Sequence, residues 1–182
     1  MNWRKCTGGV AAALGMLVVL GALGLGLRDK TESEDTTVTV FLVRHAEKVS
    51  EEIAFNSQDP DLSEEGIARA DRLTTILKDQ TIHAVFITKT IRSFQTGMPT
   101  ADMNGVELTE YPPTDTNWLV KTIDATPGDG SVLIVAHSNT VPMILKALGG
   151  RDMPELDESE YDRFIAVVRN NGEHVKTIEL RF

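Results

Sequence analysis

Arg44-His45 and His137-Ser138-Asn139 each stand at the end of a short apolar run, Val38-Thr39-Val40-Phe41-Leu42-Val43 and Ser131-Val132-Leu133-Ile134-Val135-Ala136. Runs rich in β-branched residues without an internal breaker read as buried strands. Open α/β sheets hold ligands at the carboxyl ends of their strands. Arg92 joins the same place by geometry, because it follows a third apolar run, residues 82–88, by a few positions in the first turns of the next helix. Arg44 and Arg92, arriving from different strand ends, can grip one phosphoryl group through forked hydrogen bonds, which guanidinium does better than ammonium. A neutral imidazole is a competent nucleophile toward phosphorus, so His45 can form a covalent intermediate. His137 can stabilise the oxygens of the transferring group through an N–H bond. Phosphoryl transfer is the reaction that needs this set, and it needs no metal.

A lone Arg-His step at a strand end is ordinarily surface; three basic strand-end motifs together call for a reason. The other two histidines, His83 and His174, start a strand and follow a turn, which reads as structural or solvent-exposed. Ser138 and Asn139 open a helix and are expected to donate hydrogen bonds to phosphate, helped by the positive helix end. Helix capping explains the same two residues equally well.

The elements that must position these groups follow from spacing. Residues 47–61 read as an irregular loop above the first strand. Ser63 reads as a helix cap, with Glu64 and Glu65 in the first turn and Ile67, Ala70, Leu73, Ile76 and Leu77 as the buried face. Residues 90–100 read as a helix weakened at its end by Gly97 and Pro99. Residues 106–108 suit a short edge strand, and 118–124 a short helix. The helix over 140–148 tolerates Pro142 in its first turn and closes at Gly149-Gly150. Asn171-Gly172 marks a hairpin between strands over 164–168 and 175–180. The pattern predicts a three-layer α/β sandwich with a mostly parallel, mixed central sheet flanked by helices.

The chain has 182 residues, enough for one domain of ordinary size. Its net charge of −9 argues against nucleic acid or an anionic membrane surface as the main partner. A local cluster of Arg and His still admits an anionic small substrate. Cys6 is the single cysteine, so no intrachain disulfide forms. Residues 1–9 form a short basic segment carrying Arg4 and Lys5. Residues 10–27 are uncharged and apolar, the pattern of a signal anchor or a signal-peptide h-region. Eighteen helical residues span about 27 Å, close to the hydrocarbon thickness of a bilayer. Arg4 and Lys5 before this stretch and Glu32, Glu34 and Asp35 after it favour an inside amino terminus. The expectation is therefore a single-pass protein of the cytoplasmic membrane with its domain outside the cytoplasm, or a secreted or periplasmic one if cleavage occurs near Ala22-Leu23-Gly24. Residues 28–36 read as linker and 37–182 as the domain.

The three motifs together resemble the histidine phosphatase superfamily, with its phosphoglycerate-mutase-like fold. Val43-Arg44-His45-Ala46-Glu47-Lys48 is similar to the family's Arg-His-Gly signature. Thr88-Lys89-Thr90-Ile91-Arg92-Ser93-Phe94-Gln95-Thr96 resembles its second arginine motif, and Val135-Ala136-His137-Ser138-Asn139-Thr140 its second histidine motif. Order and spacing agree with the small, cap-less phosphatase branch, and the likeness covers roughly residues 37–180. The resemblance implies that His45 is phosphorylated during turnover, that Arg44, Arg92 and His137 complete the phosphate pocket, and that no metal or cofactor is used. Ala46, where glycine is usual, adds one methyl group that tightens the backbone near the phosphate.

A leaving alkoxide needs a general acid, normally a carboxylic acid held near it. Members of the mutase type supply a glutamate beyond the second arginine motif, which makes Glu110 the first choice by position and Asp115 the second. Glu47 is also within reach, unless it pairs locally with Lys48. Without such an acid, substrates with better leaving groups come forward, phosphohistidine or an acid anhydride. The reading is thus a metal-independent phosphatase acting on a phosphomonoester or phosphohistidine, with a phosphorylated small molecule or phosphoprotein as partner. The alternative is a non-catalytic, membrane-tethered module that binds phosphate or a phosphoprotein. A mutase, which must reorient its intermediate in an enclosed site, fits the short loops poorly.

Overall fold

In the computed structural model, residues 36–50, 52–126 and 129–182 are described, and all of them lie in the unit Glu34–Phe182. Its strands are β1 (Thr37–Arg44), β2 (Ile82–Ile87), β3 (Leu108–Glu110), β4 (Gly130–Ala136), β5 (Arg163–Asn170) and β6 (Glu173–Arg181). They form one sheet in the order β3-β2-β4-β1-β5-β6. The first four in that order are parallel, while β5 runs antiparallel to β1 and to β6. The helices are α1 (Glu64–Leu77), α2 (Ile91–Asn104), α3 (Thr116–Asp124) and α4 (Thr140–Ala147).

Strand alternation divides the apolar side chains between two faces. Val40, Leu42, Val132 and Ile134 pack with Leu119 and Ile123 of α3 and Ile144 and Leu145 of α4. Phe41, Val43, Leu133 and Val135 pack with Leu73 and Leu77 of α1 and Ala101 of α2. Both faces of the central strands are covered, so the continuous apolar runs read from the sequence are what such strands require. The three-layer, mostly parallel sandwich is the observed fold, and it is phosphoglycerate-mutase-like. Arg44 is paired with Ala136 across the β1–β4 ladder. That register sets the two motifs that follow these strands side by side.

Several local expectations need adjustment. The buried stripe of α1 is Gly66, Ala70, Leu73 and Leu77, and Ile67 and Ile76 flank it, exposed. Gly66 sets this rotation, because a Cβ there would lie 2.1 Å from the Glu47 carbonyl oxygen. Ser63 caps the helix as expected, its hydroxyl accepting from the Gly66 N–H. Helix α2 continues through Pro99 to Asn104 and stops at Gly105, in the left-handed region at φ 64°. Its buried stripe of Ser93, Thr96, Gly97, Thr100 and Ala101 runs past the proline, so tertiary packing outweighs the lost backbone donor. Strand β3 sits two residues later than expected, which makes Glu110 its last residue. The hairpin is as read: Asn171 (φ 48°) and Gly172 (φ 78°) both take the left-handed conformation that a two-residue turn demands.

The membrane assignment is corrected. Among the described residues no helix is long and apolar enough to cross a membrane, and the stretch 10–27 that prompted the assignment lies outside the described residues. The membrane partner, the single-pass topology and the secreted or periplasmic alternative are therefore not carried forward.

Candidate active site

The His45 backbone N–H donates to the Ala136 carbonyl at 2.9 Å, extending the β1–β4 ladder by one bond and fixing where the imidazole starts. The next N–H, of Ala46, donates to Thr96 Oγ1 at 3.0 Å. That hydroxyl in turn donates to the Arg92 carbonyl at 2.7 Å. Thr96 therefore ties the segment after β1 to α2 and, with it, to Arg92.

The His45 ring is buried. Its Nδ1 lies 2.8 Å from the Ala46 carbonyl oxygen, which can only accept, so Nδ1 carries the proton. Nε2 is then a lone pair, and it accepts from Arg92 Nε at 3.2 Å. Burial pushes the His45 pKa down to about 3; the Ala46 carbonyl opposes this, and His137, Arg92 and Arg44 reinforce it. Burial likewise lowers His137 to about 4, with Arg92 and Arg44 adding to the effect. Both rings are neutral at pH 7. They meet edge to face with centres 5.2 Å apart, and His137 Nε2 lies 2.8 Å from Thr88 Oγ1 at the end of β2.

The two arginines are held differently. Arg92 Nη1 pairs with Asp59 at 3.1 Å, and Asp59 also accepts from the Ile91 N–H at the start of α2. Arg44 is 2% exposed. Its Nη1 donates to the carbonyls of Asp157, Glu158 and Glu160 at 2.8, 3.1 and 3.3 Å. Its Nη2 meets the Glu158 carboxylate at 3.0 Å, and its guanidinium carbon stacks 4.2 Å from the centre of the Tyr161 ring. Lys48 and Ser138 join these groups around an open cavity of about 400 Å³.

Of the residues singled out in the sequence, Arg44, His45, Arg92, His137, Ser138 and Asn139 all line this one cavity. Asn139 makes no side-chain cap bond at α4, so its amide is not used by the helix. Glu110 lies elsewhere, in a second cavity of about 430 Å³ beside Ile87, Ile91, Phe94 and Lys89. Thr88 and Asp59 line that cavity as well, and they bond to His137 and Arg92 of the first. Asp115 caps α3, accepting from the Trp118 N–H. Glu47 is committed to Arg69, which binds both carboxylate oxygens at 2.6 to 2.8 Å. Asp59, Glu155, Glu158 and Tyr161 were not singled out in the sequence. The acidic stretch 152–162 was the only signal for the last three, and it reads equally as a solvated loop; Asp59 sits in the irregular loop 47–61. Among the described residues no group of three or more His, Cys, Asp or Glu is arranged to hold a metal ion.

This is a neutral imidazole in a basic pocket, built on two adjacent strand ends. The sequence model of the histidine phosphatase superfamily (branch 1) matches residues 40–113, a span that includes Arg44, His45 and Arg92. Over that span the chain is similar to the histidine phosphatase superfamily. The reaction class of that family is metal-independent phosphoryl transfer through a phosphohistidine. No curated protein matches by sequence. Solved structures do match. The protein histidine phosphatase SixA complexed with tungstate is 19% identical, with a TM-score of 0.65 over 79% of this chain and 96% of that one. A mycobacterial glucosyl-3-phosphoglycerate phosphatase is 11% identical, with a TM-score of 0.57 over 80% and 98%. A phosphoglycerate mutase from Plasmodium falciparum is 17% identical, with a TM-score of 0.53 over 81% and 91%. These likenesses show the phosphoglycerate-mutase-like fold.

Proposed function

We propose that this domain is a phosphatase in which His45 Nε2 attacks phosphorus, and that its preferred substrate is a phosphohistidine or a similarly activated phosphoryl donor. The observation that supports the nucleophile is the Nδ1–H···O=C bond to Ala46, which leaves the Nε2 lone pair beside Arg92. As the N–P bond forms, positive charge grows on the ring, and the Ala46 carbonyl accepts the Nδ1 proton bond more strongly. The bond from phosphorus to the leaving group breaks, and its electron pair departs with that group. Arg44, Arg92 and His137 bind the phosphoryl oxygens, assisted by Ser138 and Asn139. Water then attacks the phosphohistidine, releasing phosphate and restoring neutral His45.

The preference for an activated donor follows from the placement of carboxylates. Of the carboxylates read from the sequence, Glu110 lines the neighbouring cavity, Asp115 caps a helix and Glu47 is bound by Arg69, while in the pocket itself Glu158 is held by Arg44 and Ser138. A leaving imidazole can be protonated by water, whereas an alkoxide needs a positioned acid. Glu110 remains the first candidate donor for any substrate whose leaving group extends into its cavity.

The test is single turnover of the full chain with a 32P-phosphohistidine peptide and with phosphomonoesters, in EDTA. Acid-labile, alkali-stable label on wild type and none on His45→Ala, with faster release from phosphohistidine than from monoesters, is the expected result. Binding of phosphate or phosphopeptide with neither label nor release would replace this reading with that of a phosphate-binding module.

A further inference from the structure

The candidate phosphate pocket already holds a carboxylate. Glu158 Oε2 accepts from Arg44 Nη2 at 3.0 Å, and its Oε1 accepts from Ser138 Oγ at 3.1 Å. One residue thus occupies two of the donors assigned above to phosphate. Its occupancy of the arginine is incomplete. Nη1 is consumed by three backbone carbonyls, which leaves the Nε/Nη2 edge as the fork open to another acceptor. Glu158 fills only the Nη2 prong. Arg44 Nε is the buried side-chain atom without a hydrogen-bond partner among the described residues.

A buried N–H with no acceptor costs about 1–3 kcal/mol, more on a charged group. A carboxylate has two oxygens, and Glu158 spends one on Ser138, so it cannot close the fork. A tetrahedral phosphoryl group has three oxygens, enough for both prongs of Arg44 and for Ser138 together. Glu158 can leave readily: its side chain is 79% exposed, against 2% for Arg44. The Arg44 guanidinium stays anchored meanwhile by the carbonyls of the same loop and by Tyr161.

We propose that Glu158 is a specificity-determining residue, a resident carboxylate that guards the Arg44–Ser138 donors against weak anions and yields only to a phosphoryl group able to fill the whole fork. The inference rests on the phosphate-pocket reading given above. It assigns a selectivity cost to every ligand: an anion must exchange with Glu158 rather than simply bind. Carboxylates, which offer the same two oxygens as Glu158, gain nothing by the exchange. Phosphate gains the additional bond at Nε.

The experiment is calorimetric titration of inorganic phosphate and of acetate into the full-length wild type, Glu158→Gln and Glu158→Ala, with circular dichroism confirming that each variant is folded. The expected result is phosphate affinity raised about tenfold in both variants, and acetate binding that becomes measurable only in them. Unchanged or weakened phosphate affinity in both variants would overturn the proposal, since Glu158 would then be a bystander or a positioning group. Tighter phosphate binding with no gain for acetate would overturn the selectivity while leaving the competition. Binding needs no turnover, so these outcomes are separable from the fate of the catalytic reading. An active, His45-labelled enzyme with unresponsive Glu158 variants defeats only this inference; tightened phosphate binding in a chain without turnover defeats only the catalysis.

Discussion

Arg92 Nε donates to His45 Nε2 at 3.2 Å, so a permanent cation points at the lone pair that the proposed chemistry uses. With Nδ1–H committed to the Ala46 carbonyl, the ring is locked in one tautomer. Burial disfavours the imidazolium and the guanidinium disfavours a proton on Nε2, and together they outweigh the Ala46 carbonyl, which favours the charged ring. Nitrogen-15 spectra of the full chain should therefore show His45 with a protonated Nδ1 and an unprotonated Nε2 throughout pH 5 to 8. A titration of this ring near 6.5 would remove the electrostatic account of the nucleophile.

The same two rings make stability depend on acid. His45 and His137 lie at about 3 and about 4 in the folded protein, against 6.5 when unfolded. Between those values the unfolded chain binds protons that the folded one refuses. Stability therefore rises with pH through this window and is lost as pH falls below 6.5. Each ring contributes at most about 1.4 kcal/mol per pH unit. Urea unfolding at steps from pH 7 to pH 5 should show this slope, and it should flatten when both histidines are replaced by glutamine. A slope unaltered by that double replacement would assign the acid sensitivity to other groups.

How much of this was readable beforehand depends on the range of the interactions. The strand ends at Arg44 and His137 were legible because both strands are covered on two faces and so are written as unbroken apolar runs. The turn at Asn171-Gly172 was legible because few residue pairs accept two positive φ angles. By contrast, Arg44 and Glu158 stand 114 residues apart, and Arg92 and Asp59 33 apart. Nothing local marks Asp59 or Glu158 among the many acidic residues of the chain. Their partners are chosen by loops whose path depends on the whole sheet. Glu47 illustrates the converse: it sits two residues from His45, yet its side chain belongs to Arg69 on α1.

Asp59 should behave as a positioning residue. It accepts from Arg92 Nη1 and from the N–H that opens α2, so it fixes both the guanidinium and the helix that carries it. On the proposed chemistry, Asp59→Ala should lower kcat/KM by roughly ten- to a hundredfold through misplacement of Arg92. Asp59→Asn keeps one acceptor and should recover part of that loss. Arg92→Lys removes the fork itself and should cost about a hundredfold or more. If Asp59→Ala still lowers activity tenfold in an Arg92→Lys background, the two act independently and the positioning role is wrong.

Glu47 separates a catalytic acid from a structural one. Arg69 donates to both of its oxygens and also to the Phe182 carbonyl, joining the loop after β1 to α1 and to the chain's last residue. The Arg69 side-chain bond and charge outweigh burial and hold the Glu47 carboxyl below its usual range, where it has no proton to give at pH 7. Glu47→Gln should therefore destabilise the fold by about 1–3 kcal/mol, the cost of leaving a charged hydrogen-bonding partner unmatched. Turnover of phosphohistidine and of monoesters should stay within a few fold of wild type, measured well below the melting temperature. The opposite pattern, unchanged stability with collapse of monoester turnover alone, would make Glu47 the proton donor and would require the Arg69 pair to open during the reaction.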